Sequence, residues 1–360
     1  MNLYKQIAPL LYKMDAESAH EIAVKMMKIP QNFPLIESSI AKNHCVINET
    51  LSQNINGLRF YNPLGLASGF DKNAELVRPL SAMGFGFLEL GSVTQMAQAG
   101  NPKPRIFRHI KENSLQNAMG FNNIGARGML ANLKNCYPFV VPLGINIGKN
   151  KLVAQVDSLT NYELSLQTLE GFGDYFVFNL SSPNTPNLRD LQNVEFVSEL
   201  LKMAKNNTQK PLFIKISPDM EVDSMLAVVE SAINSGASGI VATNTTIDYG
   251  VVATPNVRDG VPFGGISGAA LREKSREVLR ILGQHFFGKI TLISVGGISS
   301  SDDVWERLKL GASLVQLFTA LIYEGPSLIK KINKELAIKC KKEGVKNISE
   351  IVGSGIVKNL

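Results

Sequence analysis

From about residue 60 the chain repeats one pattern: a short apolar run, a polar or glycine-rich turn, and a stretch with helical spacing. The apolar runs are continuous rather than alternating, which is typical of parallel strands buried on both faces. Helical spacing is clearest in residues 221–235, 271–283 and 303–310. The eight predicted strands are residues 63–67, 87–91, 141–146, 175–179, 212–216, 239–243, 291–295 and 314–318.

Alternation of strands and helices predicts an α/β fold with a parallel sheet, and eight units favour a closed (β/α)8 TIM barrel. Two connections, residues 92–140 and 244–267, are longer than simple crossovers need. Long loops in compact domains are usually functional, and barrel active sites lie at the carboxyl ends of the strands. We therefore expect these two connections to cover a site.

Polar or glycine residues stand at the predicted strand ends. They are Asn146, Asn179, Lys215, Thr243 and the pair Gly296–Gly297. A polar residue at one strand end is ordinary, but five at equivalent positions favour a binding site there.

Before the barrel, residues 1–30 show the spacing of two short amphipathic helices, with Asp15 as the predicted N-cap of the second. Lysines accompany the apolar positions. Such a pair either packs on the protein core or lies in a membrane interface, and composition alone leaves both open. We predict three parts: a helical segment and linker over residues 1–45, the barrel over 46–340 and a tail over 341–360.

Composition narrows the class of protein. Hydrophobic residues make up 44% and charged residues 19% of the 360, which suits a large folded core. No apolar run approaches the roughly 20 residues that cross a bilayer, and charged residues interrupt any signal peptide. The three cysteines have no metal-type spacing, so no metal site is expected. The formal charge of +6 is scattered, which makes nucleic acid the weakest of the anionic partners considered.

Four segments carry candidate chemistry. Residues 179–189 read NLSSPNTPNLR, in which prolines stiffen a loop rich in amide and hydroxyl groups. Residues 62–72 and 117–123 supply small residues and further amides near the first strand and within the first long connection. Residues 264–268 and 295–298 are glycine-rich and flank the seventh predicted strand, where barrels commonly bind phosphate. Asparagine amides both donate and accept, which suits a planar imide or amide ligand.

These segments together resemble the dihydroorotate dehydrogenase family, and specifically its class 2 members, which are membrane-associated and reduce quinone. The likeness covers nearly the whole chain. Further matching segments are residues 15–20, 100–105, 144–150 and 242–246. The resemblance implies oxidation of dihydroorotate to orotate in pyrimidine biosynthesis, with FMN as the cofactor and a membrane quinone as the final electron acceptor.

The resemblance also implies a role for individual residues. Ser182 stands where the catalytic base is expected; class 1 enzymes have cysteine there. Lys215 would supply positive charge beside the flavin. The residues expected around FMN are Ala67, Ser68, Gly69, Phe70, Asp71, Ser92, Asn146, Asn179, Lys215, Thr243, Gly268, Gly297, Phe318 and Thr319. Those expected to bind dihydroorotate are Lys72, Asn117, Ala118, Met119, Gly120, Phe121, Asn179, Asn184, Asn244 and Thr245.

Two positions depart from the family pattern. Many relatives have arginine where this chain has Ala118, and tyrosine where it has Phe318. Three other functions compete with this one: a class 1 enzyme with a soluble acceptor, a flavin barrel that acts on tRNA, and a non-catalytic membrane scaffold. The serine at 182 and the N-terminal helices argue against the first, the absence of a basic RNA-binding module against the second, and the intact site positions against the third.

The N-terminal segment is the expected quinone entrance. We expect a monomer that contacts lipid peripherally on the cytoplasmic side of the cell membrane, because the helical pair and basic charge suit reversible attachment. Arg105 is a candidate contact for the quinone head. The candidate lining residues are Tyr4, Ile7, Leu11, His20, Met26 and Met27.

Overall fold

The computed structural model describes residues 3–356; residues 1–2 and 357–360, which belong to the predicted N-terminal segment and C-terminal tail, lie outside the described residues. The strands are β1 (Gln53–Ile55), β2 (Leu58–Phe60), β3 (Leu64–Leu66), β4 (Phe87–Val93), β5 (Ile106–His109), β6 (Ser114–Asn117), β7 (Leu143–Ile147), β8 (Tyr175–Asn179), β9 (Leu212–Ile216), β10 (Gly239–Ala242), β11 (Val257–Arg258), β12 (Val261–Pro262), β13 (Gly265–Gly268), β14 (Thr291–Val295) and β15 (Leu314–Leu317).

The α-helices alternate with the strands from residue 77 onward, and three precede them. They are α1 (Leu3–Leu11), α2 (Ala16–Lys28), α3 (Pro34–His44), α4 (Val77–Ala82), α5 (Gly125–Cys136), α6 (Ser158–Leu169), α7 (Val194–Asn207), α8 (Val222–Asn234), α9 (Arg272–Phe286), α10 (Ser301–Lys309), α11 (Thr319–Glu324) and α12 (Ser327–Lys342).

Eight parallel strands close into a barrel in the order β3-β4-β7-β8-β9-β10-β14-β15. Every predicted strand coincides with one of them, within a few residues at each end, and the three predicted helices correspond to α8, α9 and α10. The predicted (β/α)8 TIM barrel is therefore confirmed.

The barrel strands are buried on both faces, which explains their continuous apolar runs. The surrounding helices bury one stripe each. In α7, for example, Val197, Leu200, Leu201 and Ala204 repeat at helical spacing and are fully buried. Burial of these stripes against the strands positions the strand ends, and with them the site.

The two long connections build a second layer at the barrel mouth. The first contains the antiparallel pair β5–β6, and the second contributes β13, which joins β6 in a three-stranded sheet. The register places Asn117 beside Gly265 and Ser114 beside Gly268. Two predicted binding segments, distant in sequence, thus form one wall.

The N-terminal segment packs on the same end of the barrel. Asp15 caps α2 as predicted, because its carboxylate accepts from the Ser18 N–H at 2.8 Å. The Tyr4 hydroxyl donates to the Ile322 carbonyl of α11 at 2.5 Å, and Lys28 pairs with Glu75. Residues 34–44, expected as a linker, form helix α3, which has no strongly apolar stripe to reveal it in the sequence.

At the C-terminus, α12 continues to Lys342, two residues beyond the boundary predicted at 340. Ile348 and Ile351 then pack into the barrel core. Among the helices of residues 3–356, none combines the length and apolar character that crossing a bilayer requires.

Candidate active site

One cavity of about 670 Å³ runs from the N-terminal helices to the carboxyl ends of the barrel strands. At its outer end it meets apolar side chains of α1 and α2, including Ile7, Leu11 and Met27. At its inner end it meets Asn179 and Lys215. The cavity therefore joins an apolar passage to a polar chamber.

The floor of the chamber is a buried charge network inside the barrel. Glu89 of β4 is fully buried and lies 3.3 Å from the Lys215 ammonium. It also accepts from the Asn146 amide at 2.8 Å and from the Gln316 amide at 2.7 Å. Lys215 donates further to the Ser68 hydroxyl at 3.0 Å. Lys215 and Glu89 therefore neutralise one another, and neither is a buried charge without a partner when a polar ligand binds above them.

Asn179 links this floor to the neighbouring loops. The strand register sets it directly beside Lys215. Its amide nitrogen donates to the Ser92 hydroxyl at 2.9 Å, and its amide oxygen accepts from the Asn244 amide at 3.2 Å. The Ser92 hydroxyl in turn donates to Asn146. Three amides and one hydroxyl, from the ends of β7, β8, β10 and β4, thus converge at one place.

The loop after β8 carries Ser182, which is buried and lines the cavity. Its hydroxyl oxygen accepts from the Asn184 N–H at 3.3 Å. The Thr185 hydroxyl and the Asn184 amide oxygen are buried and have no hydrogen-bond partner among the described residues. Such atoms are expected where a ligand or water completes the hydrogen bonding.

Arg189, the last residue of that motif, fixes the loop to its neighbour. Its guanidinium donates to the carbonyls of Ser181 and Thr245, each at 3.0 Å, and pairs with Asp219 at 2.9 Å. Asp219 also pairs with Lys274 at 2.7 Å. Two segments that line the cavity are therefore held at a fixed separation.

Lys72 and Asp71 follow β3 but do different things. Lys72 lines the cavity, and burial lowers the pKa of its ammonium to about 8. Asp71 is turned away: its carboxylate accepts from the N–H groups of Glu75 and Leu76 at 2.9 and 2.7 Å. Lys72 therefore faces the ligand space, and Asp71 holds the turn that presents it.

The glycine-rich segments close the far end of the chamber. Gly268, Gly296 and Gly297 line the cavity beside Thr319. Gly297 has φ +72°, and a Cβ there would lie 2.5 Å from the backbone of Arg272. Only glycine fits this turn, which leaves its backbone open to a ligand.

The apolar passage contains the six residues predicted to line it, from Tyr4 to Met27. His20 lies edge-on to Phe70 with ring centroids 5.2 Å apart, and Phe70 contacts Phe318 in the same way. Burial, reinforced by the nearby charge of Lys72, lowers the pKa of His20 to about 4. At neutral pH the imidazole is uncharged, so His20 adds no charge to the passage.

The prediction that Arg105 contacts a ligand in the passage is wrong in this structure. Arg105 is buried, lies off the cavity wall and pairs with Glu17 of α2 at 2.7 Å. It also donates to the carbonyls of Ala99 and Asn101. Burial raises the pKa of Glu17, but Arg105 and Lys103 outweigh that effect and leave it lowered, so the pair is ionic.

The cavity brings together most of the predicted site residues. Asp71, Asn146 and Ala118 are the predicted residues that lie off its wall; Ala118 is buried, and its N–H donates to the Arg105 carbonyl. The predicted residues on the wall are Ala67, Ser68, Gly69, Phe70, Lys72, Ser92, Asn117, Met119, Gly120, Phe121, Asn179, Ser182, Asn184, Lys215, Thr243, Asn244, Thr245, Gly268, Gly297, Phe318 and Thr319.

Three further residues, Glu89, Gln316 and Glu17, were not predicted from the sequence. Glu89 and Gln316 each interrupt an apolar strand, and a lone charge or amide in a run buried on both faces signals an inward polar network. Glu17 carries no such signal, because an acidic residue in the first turn of a helix is ordinary. Within residues 3–356 no cluster of His, Cys, Asp and Glu side chains is arranged to hold a metal ion.

Comparison with known proteins identifies the family. The family model described as "Dihydroorotate dehydrogenase" matches residues 50–339. The chain is 48% identical over 351 residues to "Dihydroorotate dehydrogenase (quinone)" of Sulfurimonas denitrificans, covering 98% of each chain. It is 49% identical over 354 residues to the protein of the same name from Helicobacter acinonychis, covering 98% of this chain and 99% of that one.

A solved structure agrees with these sequence matches. The crystal structure of DHODH from Eimeria tenella in complex with ferulenol superimposes with a TM-score of 0.82 at 30% identity, over 97% of this chain and 98% of that one. The chain belongs to the dihydroorotate dehydrogenase family.

Proposed function

We propose that this protein oxidises dihydroorotate to orotate for pyrimidine biosynthesis, uses FMN as its bound flavin, and passes the electrons to a quinone. The single observation that carries this proposal is the continuous cavity. Its polar chamber suits a flavin and a small anion, and its apolar passage suits an isoprenoid quinone. The near full-length likeness to relatives named for the quinone-dependent enzyme supports the same activity.

The residues of the chamber fit FMN. The cavity, chamber and passage together, measures about 670 Å³, which lies within the usual range for ligand and cofactor sites, about 300–1,000 Å³. Lys215, Asn179 and Ser92 offer donors at the inner end, and the open backbone of Gly268 and Gly297 suits a phosphate at the far end. The buried amide oxygen of Gln316, on the cavity wall, has no partner among the described residues. A bound flavin would supply the two-electron acceptor for the reaction.

Dihydroorotate would bind between the loops after β3, β8 and β10. Its carboxylate is matched by Lys72, the cation that faces the cavity from the first of these loops. Its ring amides are matched by asparagine side chains, which donate and accept at once. The asparagines available on the wall are Asn117, Asn179, Asn184 and Asn244.

Ser182 is the proposed base that takes the proton from C5 as a hydride leaves C6. Its hydroxyl oxygen accepts a hydrogen bond from the Asn184 N–H, which orients the side chain. A serine hydroxyl is a weak base and must pass its own proton on. The Thr185 hydroxyl, buried in the same loop and unpartnered among the described residues, is the proposed next acceptor of that proton.

Residues 3–45 form the proposed quinone entrance. The passage between α1 and α2 is lined mainly by apolar side chains, with an uncharged His20 and with Arg108, which donates to the Met14 carbonyl, and it opens into the chamber beside Phe70. Leu10 of α1 and Leu35 of α3, which lie outside the cavity lining, are 68% and 88% exposed. This apolar surface, with exposed lysines beside it, supports peripheral attachment of a monomer to the cytoplasmic face of the cell membrane.

The activity is tested by anaerobic mixing of the purified protein with dihydroorotate. The flavin absorbance band is expected to bleach and to return when a quinone is added. Fumarate, offered as a soluble acceptor in a parallel sample, is the control and should restore the band far more slowly. Absence of bleaching would refute the proposed substrate, and faster recovery with fumarate would refute the proposed acceptor.

A further inference from the structure

Behind the Gly296–Gly297 turn lies the largest fully buried side chain of the described residues, Arg307 of α10, which is 1% exposed. Its guanidinium donates to the carbonyls of Arg272 and Gly296 at 2.8 and 3.2 Å. It donates also to the hydroxyls of Ser275 and Ser294 at 2.9 and 3.3 Å. All four acceptors are neutral oxygens.

The carboxylates nearest to Arg307 in the sequence form ion pairs with other arginines. Asp303 lies 3.4 Å from Arg272, and Glu306 lies 3.1 Å from Arg276. Burial lowers the pKa of Arg307 to about 10, which still leaves the guanidinium charged at neutral pH. Among the described residues no carboxylate forms an ion pair with Arg307, although Glu306 and Asp303 act on it through space and partly offset the effect of burial. A further negative charge in front of the turn would therefore stabilise the buried guanidinium.

The hydrogen bonds of Arg307 also set the direction of the turn. In a trans peptide the C=O and N–H point in opposite directions. The Gly296 carbonyl accepts from Arg307 and from Ser275, at 2.8 Å in the second case. The N–H of Gly297, in the same peptide unit, therefore faces away from the guanidinium, and Gly297 lines the cavity. The same reasoning applies to the next peptide, whose carbonyl accepts from Arg272 at 2.9 Å.

We propose that Arg307 is a positioning residue for the flavin phosphate: it holds the Gly296–Gly297 turn so that its N–H groups face the phosphate, and it supplies the balancing positive charge from behind. This inference rests on the proposed binding of FMN. It predicts that Arg307 contributes to the affinity for FMN but not for riboflavin, which has the same ring system without the phosphate.

The test is the ratio of the Kd for riboflavin to the Kd for FMN, measured by fluorescence quenching on the flavin-stripped full-length chain. In Arg307→Gln the ratio should fall by about 10- to 100-fold, the range expected for lost hydrogen bonds to a charged group. Arg307→Lys keeps the charge and should retain most of the preference. Arg276→Gln is the matched control: it removes an exposed arginine of the neighbouring helix α9, and its ratio should match that of the wild type.

A ratio in Arg307→Gln equal to that of the wild type, or an equal loss of affinity for both flavins, would overturn the proposal, because a merely structural arginine affects both ligands alike. If Arg307→Gln does not fold, Ser275→Ala decides in its place. That variant removes one hydroxyl that holds the Gly296 carbonyl, so an FMN-selective loss supports the proposal and an unchanged ratio overturns it. Wild-type protein that fails to bind FMN at all would instead refute the proposed function.

Discussion

The barrel mouth and the N-terminal helices distribute polarity in opposite ways. Inside the barrel, Glu89 and Lys215 are buried and bonded to one another and to neighbouring amides. On the N-terminal helices, Leu10 and Leu35 stand out in the solvent. Buried polar groups are tolerated when they are fully hydrogen-bonded, whereas clustered exposed apolar groups indicate another surface that covers them. The contrast indicates that the barrel mouth binds a polar ligand and that the N-terminal helices contact an apolar one.

The cavity is where the two regions meet, and the Glu17–Arg105 pair is where they are joined. Glu17 belongs to α2. Arg105 lies in the loop before β5, and its own carbonyl oxygen accepts a hydrogen bond from the N–H of Ala118 in the predicted substrate segment. If the regions divide the work, changes in the chamber should affect the reaction with dihydroorotate. Changes in the helices should affect the reaction with quinone.

The largest effect is expected from Ser182→Ala. A positioned general base contributes about 10²–10⁴-fold, so reduction of the bound flavin by dihydroorotate should slow by that factor. Flavin content should be unchanged, because other residues line the flavin end of the cavity. Single-turnover absorbance measurements give the rate. Ser231→Ala, on the exposed face of α8, controls for loss of a serine hydroxyl.

Ser182→Cys sharpens the same prediction. A thiol with a pKa of about 8.5 is a stronger base than a hydroxyl once it is ionised. The rate should therefore rise with pH as thiolate forms, in contrast to the alanine variant. A rate for Ser182→Ala within a few-fold of the wild type would remove Ser182 from the mechanism.

The converse effect is expected when residues 1–28 are deleted. Reduction of the flavin by dihydroorotate should stay within a few-fold of the full-length rate. Reduction of a long-chain quinone should fall more than about tenfold. Burial of one CH₂ group contributes about 0.8 kcal/mol, so the loss of contact with only two such groups of the quinone tail weakens binding by about that factor. Both half-reactions are followed in stopped-flow experiments.

That deletion also removes Glu17 and leaves Arg105 without its buried partner. Full-length Glu17→Gln is therefore the matched control, because it breaks the ion pair and keeps the passage. Normal long-chain quinone reduction by the truncated protein would show that α1 and α2 are not the entrance. An equal loss in Glu17→Gln would assign the effect to the ion pair instead.

A smaller effect is expected from Lys72 and depends on pH. Burial holds the pKa of its ammonium at about 8, below the ordinary value of 10.5. Above pH 8 the free enzyme loses this charge, so kcat/KM for dihydroorotate should decline there. Lys72→Met should lower kcat/KM by about 10- to 100-fold at neutral pH, as expected for lost bonds to a charged group.

Lys72→Arg separates charge from shape. Arginine stays protonated throughout this range, so the decline above pH 8 should disappear even if the neutral-pH value changes. A pH profile for Lys72→Arg identical to that of the wild type would show that another group causes the decline.

The fold was predictable from the sequence because a barrel strand buried on both faces leaves a continuous apolar run, as in Phe176 and Val177 of β8. The three-stranded sheet over the barrel mouth was not predicted. Its strands β6 and β13 are about 150 residues apart, and pairing between distant short strands leaves no local pattern. Helix α3 was missed for a related reason, since its exposed apolar residues do not form one stripe.

The site was predictable in part. Strand-end residues such as Asn179 and Lys215 lie where the barrel geometry puts them, next to one another in the register. The direction of a side chain was not predictable: Asp71 and Lys72 are adjacent, yet one caps a turn and the other lines the cavity. The fate of Arg105 depended on Glu17, a partner 88 residues away in the chain.

The smallest expected effect concerns the outer surface of the N-terminal helices. Leu10→Glu combined with Leu35→Glu adds one charge to the exposed side of α1 and one to that of α3, both outside the cavity lining. Binding to anionic lipid vesicles in a flotation assay should fall several-fold, because apolar burial and lysine attraction both weaken. High salt or mild detergent should release the wild-type protein.

Leu164→Glu, on α6 of the barrel wall, is the matched control and should bind as the wild type does. Activity with a short, water-soluble quinone should stay unchanged in both variants, since neither touches the passage. Vesicle binding by the double variant equal to that of the control would mean that lipid contacts the protein elsewhere, and the apolar face of α1 and α3 would then need a different partner.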